Sequence, residues 1–266
     1  MRYLFFAITL FLSSCNGLVN WMSFHPDRST IISESNLPEY IRLVNIPTSD
    51  DLTIQGLYFA DKNDSVKSKI IVYFHGNAGN MYHRISGAAK LFEMGYDVLV
   101  VSYRGYAGSE GSPSEEGIYI DGRSALRFVT QDFGYKLEDV IIYGRSIGTT
   151  VAIDAAQGQD ISKLVLITPL SSGSDYAKAQ GMGSLLFLVG EPFPSIQKIN
   201  NVKCPVLIVH GDADEVIPQR LGIELYEKYS GVKKFVSIPG GRHNDLELVY
   251  PDFYWRSIRE FLYESR

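Results

Sequence analysis

The stretch IIYGRSIGTT, Ile141 to Thr150, holds one serine between two glycines at the end of an apolar run. Gly144, Ser146 and Gly148 fit the pattern G-x-S-x-G between a strand and a helix. A turn that tight strains the serine backbone, and a side chain at 144 or 148 would collide with the neighbouring strand or helix. The serine is then lifted above the sheet at a helix N-terminus, whose dipole favours developing negative charge. Such a serine attacks a carbonyl carbon when a base takes its proton and an acid orients the base.

Two histidines follow Ser146 in the chain, His210 and His243. The chain order for this turn is serine, acid, histidine. His210 lies at a strand end in VLIVHGDAD and is expected to hydrogen-bond locally. His243, in IPGGRHND after the last strand, has glycines that let its loop reach the serine, so it is the expected base. Asp212 and Asp214 compete for the acid role in HGDADEVIP, and Asp214, further into the loop, is favoured. The oxyanion formed on attack needs two N–H donors. The amide of Ile147 is one, and Asn77 in HGNAGN, His75 to Asn80, is the other. Four residues carry a plainer expectation. Arg104 anchors a loop, Arg145 points away into surface pairs, Cys204 is a core thiol, and Asp245 steadies the loop of His243.

Elements must hold these residues together. YIRLVNIP and LTIQGLYF alternate as half-buried strands, with a hairpin across Thr48–Asp51. KIIVYFHG, YDVLVVSYRG, DVIIYGRS, KLVLITP, PVLIVHG and KKFVSIPG are nearly continuous apolar runs, as in a parallel sheet buried on both faces. Helices are expected at about 80–94, 148–158, 219–230 and 252–265. Another starts at Ser112-Pro113-Ser114-Glu115, with Ser112 as N-cap and Pro113 at the first helical position. This alternation predicts one doubly wound α/β sheet. Ser171 to Asn201 breaks it with an apolar patch, Leu185–Val189, and is read as a small cap segment, 171–201, over the carboxyl edge.

The bulk numbers narrow the classes. A chain of 266 residues buries a large core in one domain. The formal charge of −5 has no basic stripe, so no nucleic acid partner is expected. Two cysteines and five scattered histidines make neither a disulfide framework nor a metal ligand set, so neither metal nor cofactor is expected. The chain opens MRYLFFAITLFLSSCNG, a basic residue, a short apolar stretch and small residues. This resembles a bacterial lipoprotein signal, which implies cleavage before Cys15 and lipid on that residue. Residues 1–15 are thus read as a signal, 16–39 as a tether, and 40–266 as the domain. The protein is expected in the bacterial cell envelope, held to a membrane through its N-terminal lipid, and as a monomer.

YFHGNAGN, VSYRGYAGSEGSPSEEG, IYGRSIGTTVA, KCPVLIVHGDADEVIP and GGRHND together resemble the α/β-hydrolase superfamily. The likeness is greatest to the Bem46-like proteins and to the serine hydrolases typed as alpha/beta-hydrolase-domain 13 and 17, over about residues 40–265. It implies an α/β-hydrolase sheet, a triad of Ser146, Asp214 and His243, and an oxyanion hole from Asn77 and Ile147. Asp51 stands where that family often has glycine, and the cap segment matches poorly. Since members include protein depalmitoylases and esterases, the expected reaction is cleavage of a carboxylic ester or thioester on a small molecule or an acylated protein. Two rivals remain. An aminopeptidase or amidase would need an acidic anchor, for which Glu191 is the candidate. A surface lipoprotein that only binds would need no working triad.

Overall fold

The computed structural model describes residues 17, 19–61, 69–183 and 190–264. Cys15 and the apolar patch Leu185–Val189 lie outside the described residues. Eight strands form one sheet: β1 (Ile41–Pro47), β2 (Thr53–Phe59), β3 (Ile70–Phe74), β4 (Asp97–Ser102), β5 (Val140–Arg145), β6 (Lys163–Ile167), β7 (Val206–Gly211) and β8 (Lys233–Ile238). Their spatial order is β8-β7-β6-β5-β3-β4-β2-β1. β1 and β2 form the expected antiparallel hairpin, β2 runs antiparallel to β4, and all other pairs are parallel. In the hairpin turn Asp51 takes φ 63°, the left-handed region that glycine enters freely and aspartate tolerates better than most residues.

Alternation within the apolar strands fills both faces of the sheet. Val140 and Ile142 point into one core, while Ile141 and Tyr143 point into the other. The first core is covered by α2 (Glu115–Gln131), α3 (Gly148–Ala156) and α6 (Gln219–Lys228). On α2 the positions Ile118, Gly122, Ala125 and Val129 recur at helical spacing and are buried. The second core is covered by α1 (Ile85–Glu93) and α7 (Pro251–Tyr263), through Ala88, Leu91, Ile258 and Phe261. The N-cap of α2 is Ser114 and not Ser112: its hydroxyl accepts the Gly117 N–H at 3.1 Å. Either serine of the Ser-Pro-Ser run could cap, and the geometry that satisfies the third amide of the helix decides. In the cap segment α4 (Gly173–Ala179) starts at Ser172, and a short α5 (Ser195–Lys198) returns the chain to the sheet.

Arg104 is the expected loop anchor. Its guanidinium meets Asp121 of α2 at 2.8 Å and Asp50 of the hairpin turn at 2.8 Å. Within the stretch read as a tether, residues 24–30 lie against the domain. His25 and Pro26 pair in parallel with Ala78 and Gly79, and Phe24 is buried edge-on against Phe193.

Candidate active site

Parallel register brings the chemistry to one edge. Phe74 of β3 lies beside Gly144 of β5, so the loop after β3 crosses the turn that follows β5. Ile238 of β8 lies beside Gly211 of β7, so the loops carrying Asp214 and His243 leave the sheet together. Ser146 sits between β5 and α3 at φ 55°, a strained conformation for a residue with a side chain. The flanking glycines are sterically required. A Cβ at 144 would come within 2.6 Å of the Gly148 carbonyl oxygen, and one at 148 would overlap the carbonyls of Phe74 and His75.

The structure brings Ser146, His243 and Asp214 into one hydrogen-bonded chain. The Ser146 hydroxyl is 3.1 Å from His243 Nε2, and His243 Nδ1–H donates to Asp214 Oδ2 at 2.9 Å. All three side chains are buried. The second oxygen of Asp214 accepts the amides of Val216 and Ile217 at 2.9 and 2.8 Å. Burial pushes the Asp214 carboxyl up, but bonds from His210 and His243 and the Ile217 amide outweigh it and hold the group well below the usual carboxylate range. His210 is not a second base. Its Nε2–H donates to the Ile217 carbonyl at 2.8 Å, and that nitrogen lies 3.4 Å from Asp214 Oδ2, while no contact joins it to Ser146 among the described residues. Asp212 is occupied elsewhere, accepting the Gly240 amide. Asp245 steadies the His243 loop by accepting the Arg242 amide at 2.6 Å.

The loop from His75 to Asn80 passes close to the serine, where a Cβ at Gly76 would lie 3.4 Å from Ser146 Cβ. Among the described residues the amides of Asn77 and Ile147 have no backbone acceptor, so both N–H groups are available to an oxyanion. The Asn77 carbonyl is held from behind by the His25 amide at 3.2 Å and the Tyr106 hydroxyl at 2.6 Å. That support from the N-terminal segment was not legible in a polar, mixed stretch that reads as linker.

A cavity of about 410 Å³ opens onto Ser146 and His243. Leu170, Tyr176, Met182, Phe193, Val216 and Ile217 give it an apolar lining. Arg84, Arg145 and Asn244 also line it. Arg145 therefore does not point away to the surface: its Nη2–H donates to the His243 carbonyl at 3.0 Å. A strand alternates faces, but the last residue before a sharp turn is aimed by the turn, which periodicity does not report. Glu191 is exposed and does not line the cavity. Cys204 is buried as expected.

Residues 69–190 match the family model described as alpha/beta hydrolase fold. The protein bem46 of Schizosaccharomyces pombe is 34% identical over 235 residues, covering 85% of this chain and 78% of that protein. The chain belongs to the α/β-hydrolase family. The alpha/beta hydrolase domain-containing protein aho-3 of Caenorhabditis elegans is 38% identical over 195 residues, 72% of this chain. The match spans 57% of the length of that relative. An esterase of Pyrococcus furiosus superposes with a TM-score of 0.72 at 20% identity, over 90% of this chain and 96% of that one, which shows a shared fold.

Proposed function

We propose that this α/β-hydrolase is a serine hydrolase that cleaves a carboxylic ester or thioester. The observation that carries the reading is the unbroken chain from the Ser146 hydroxyl through His243 to Asp214, lying under the His75–Asn80 loop. Ser146 Oγ attacks the carbonyl carbon as His243 Nε2 takes its proton. Asp214 holds the ring with Nδ1–H toward itself and stabilises the imidazolium. The amides of Asn77 and Ile147 receive the oxyanion. The bond to the leaving group breaks, and His243 returns the proton to the departing oxygen or sulfur. Water, deprotonated by His243, then releases the acid and frees Ser146. The apolar lining suits the acyl chain, since burying it there removes hydrocarbon from water. No helix among the described residues is long and apolar enough to cross a membrane. The proposed membrane attachment in the cell envelope is through lipid at Cys15, whose LSSC setting supports it.

The test is hydrolysis of p-nitrophenyl butyrate. Ser146→Ala is expected to abolish turnover while the circular dichroism spectrum stays that of the wild type. Undiminished turnover in that variant would overturn the assignment.

A further inference from the structure

Two guanidinium groups line the cavity beside Ser146, and among the described residues neither is in contact with a carboxylate. Arg84, at the N-terminal edge of α1, gives Nη2–H to the Ala78 carbonyl at 2.6 Å, but its buried Nε–H has no partner among the described residues. Arg145 spends Nη2–H on the His243 carbonyl at 3.0 Å and on Asn244 Oδ1 at 3.4 Å. Neither arginine has an ion pair within 4.0 Å among the described residues. The carboxylate that acts on both from further off, Glu247, is solvent-exposed. Burial pulls the Arg84 pKa down, and the Arg145 charge adds to it. A half-buried cation that keeps an inaccessible donor free is costly unless an anion arrives to meet it. Guanidinium groups present forked donors that match phosphate oxygens.

We propose that Arg84 and Arg145 form an anion subsite for the leaving group, so that the preferred substrate is a single-chain acyl ester of a phosphorylated alcohol. This rests on the serine hydrolase reading of the same site. The acyl chain lies along Leu170, Phe193 and Ile217, and the scissile carbonyl sits over Ser146. The phosphate on the departing alcohol is held between the two arginines. Two fixed positive charges match the charge of about −1.5 to −2 on a phosphate monoester near neutral pH. The same arginines disfavour a leaving group that carries a fixed positive charge.

The experiment compares monooctanoylglycerol with its phosphate monoester, using the full-length protein. Wild type is expected to show kcat/KM about 10- to 100-fold higher for the phosphate ester, the size of one charge-assisted hydrogen bond. Arg84→Gln and Arg145→Gln are each expected to bring that ratio toward one, chiefly through KM of the phosphate ester, and Arg84→Lys to restore part of it. If the arginines only clamp the loops, both esters slow together and the ratio holds, which overturns the proposal. A wild-type ratio of one or less overturns it as well. Calorimetric titration of the Ser146→Ala protein with both compounds reads the subsite without turnover. Tighter binding of the phosphate ester, lost on adding Arg84→Gln, supports the proposal, and equal binding contradicts it. Failure of wild type to hydrolyse either ester would count against the hydrolase reading, while the titration would still decide the subsite.

Discussion

Asp214 shows how much is asked of one side chain. Four groups converge on its two oxygens, the amides of Val216 and Ile217 and the rings of His210 and His243. They fix its orientation and keep it ionised, so the ring of His243 presents Nε2 to the serine. Asp214→Asn is expected to lower kcat for p-nitrophenyl butyrate by about 10⁴-fold, because an amide no longer enforces the tautomer. A near-wild-type kcat would speak against the role. His75 sets a different condition. It is fully buried at the base of the loop over the serine, gives Nδ1–H to the Gly76 carbonyl at 2.7 Å, and packs on Tyr103. Burial first, then the Arg84 charge, lowers its pKa from 6.5 to about 3. The unfolded chain therefore takes the proton first. Stability is complete above pH 6.5 and is lost as pH falls from 6.5 through about 3. Urea titrations across that window should lose stability by at most about 1.4 kcal/mol per pH unit from this group. His75→Asn should remove that part of the slope, and an unchanged slope would show that His75 does not cause it.

Elements aim these side chains, and the sequence reports elements unevenly. Strand runs were legible because burial on both faces leaves few polar residues to blur them. The serine turn was legible because Gly144 and Gly148 are required by contact. Gly148→Ala would drive its methyl into the carbonyls of Phe74 and His75. It should cost about 3 kcal/mol or more in chemical denaturation, since neither backbone can yield. A cost below about 1 kcal/mol would mean that β3 and α3 are not held this closely. Arg145 and Arg84 were not legible as cavity residues. The first is aimed by the turn after β5, and the second reaches the site only because the loop before α1 folds back over Ser146. Ser114 displaced Ser112 as the cap of α2 for an equally local reason, the reach of its hydroxyl to Gly117.

Across the whole molecule, the site depends on a segment far from it in sequence. Residues 24–30 run beside the loop over the serine. Asn80 donates to the carbonyls of Asp27 and Thr30 at 3.1 and 2.8 Å, and Arg28 donates to that of Gly105 at 2.8 Å. Phe24 closes the first core against Phe193, a residue of the cavity wall. Phe24→Ala is expected to cost about 3 kcal/mol of stability and to weaken hydrolysis of long-chain esters more than of acetate. Thermal unfolding and an acyl-chain series would check both effects, and an unchanged chain-length profile would contradict the coupling. Nothing in the composition of 16–39 announced this packing, because a few buried residues among polar ones leave no periodicity to read. The proposed lipid at Cys15 would then sit a few residues from a structural part of the site.

The most direct measurement is labelling of the full-length protein with a fluorophosphonate probe, beside the Ser146→Ala variant. Rapid labelling of wild type that disappears in the variant is the expected result, since it requires an activated Ser146 and N–H groups that donate to the phosphonyl oxygen. Absence of labelling in folded wild-type protein, or labelling that persists without Ser146, would contradict the assignment of this site as a serine hydrolase centre.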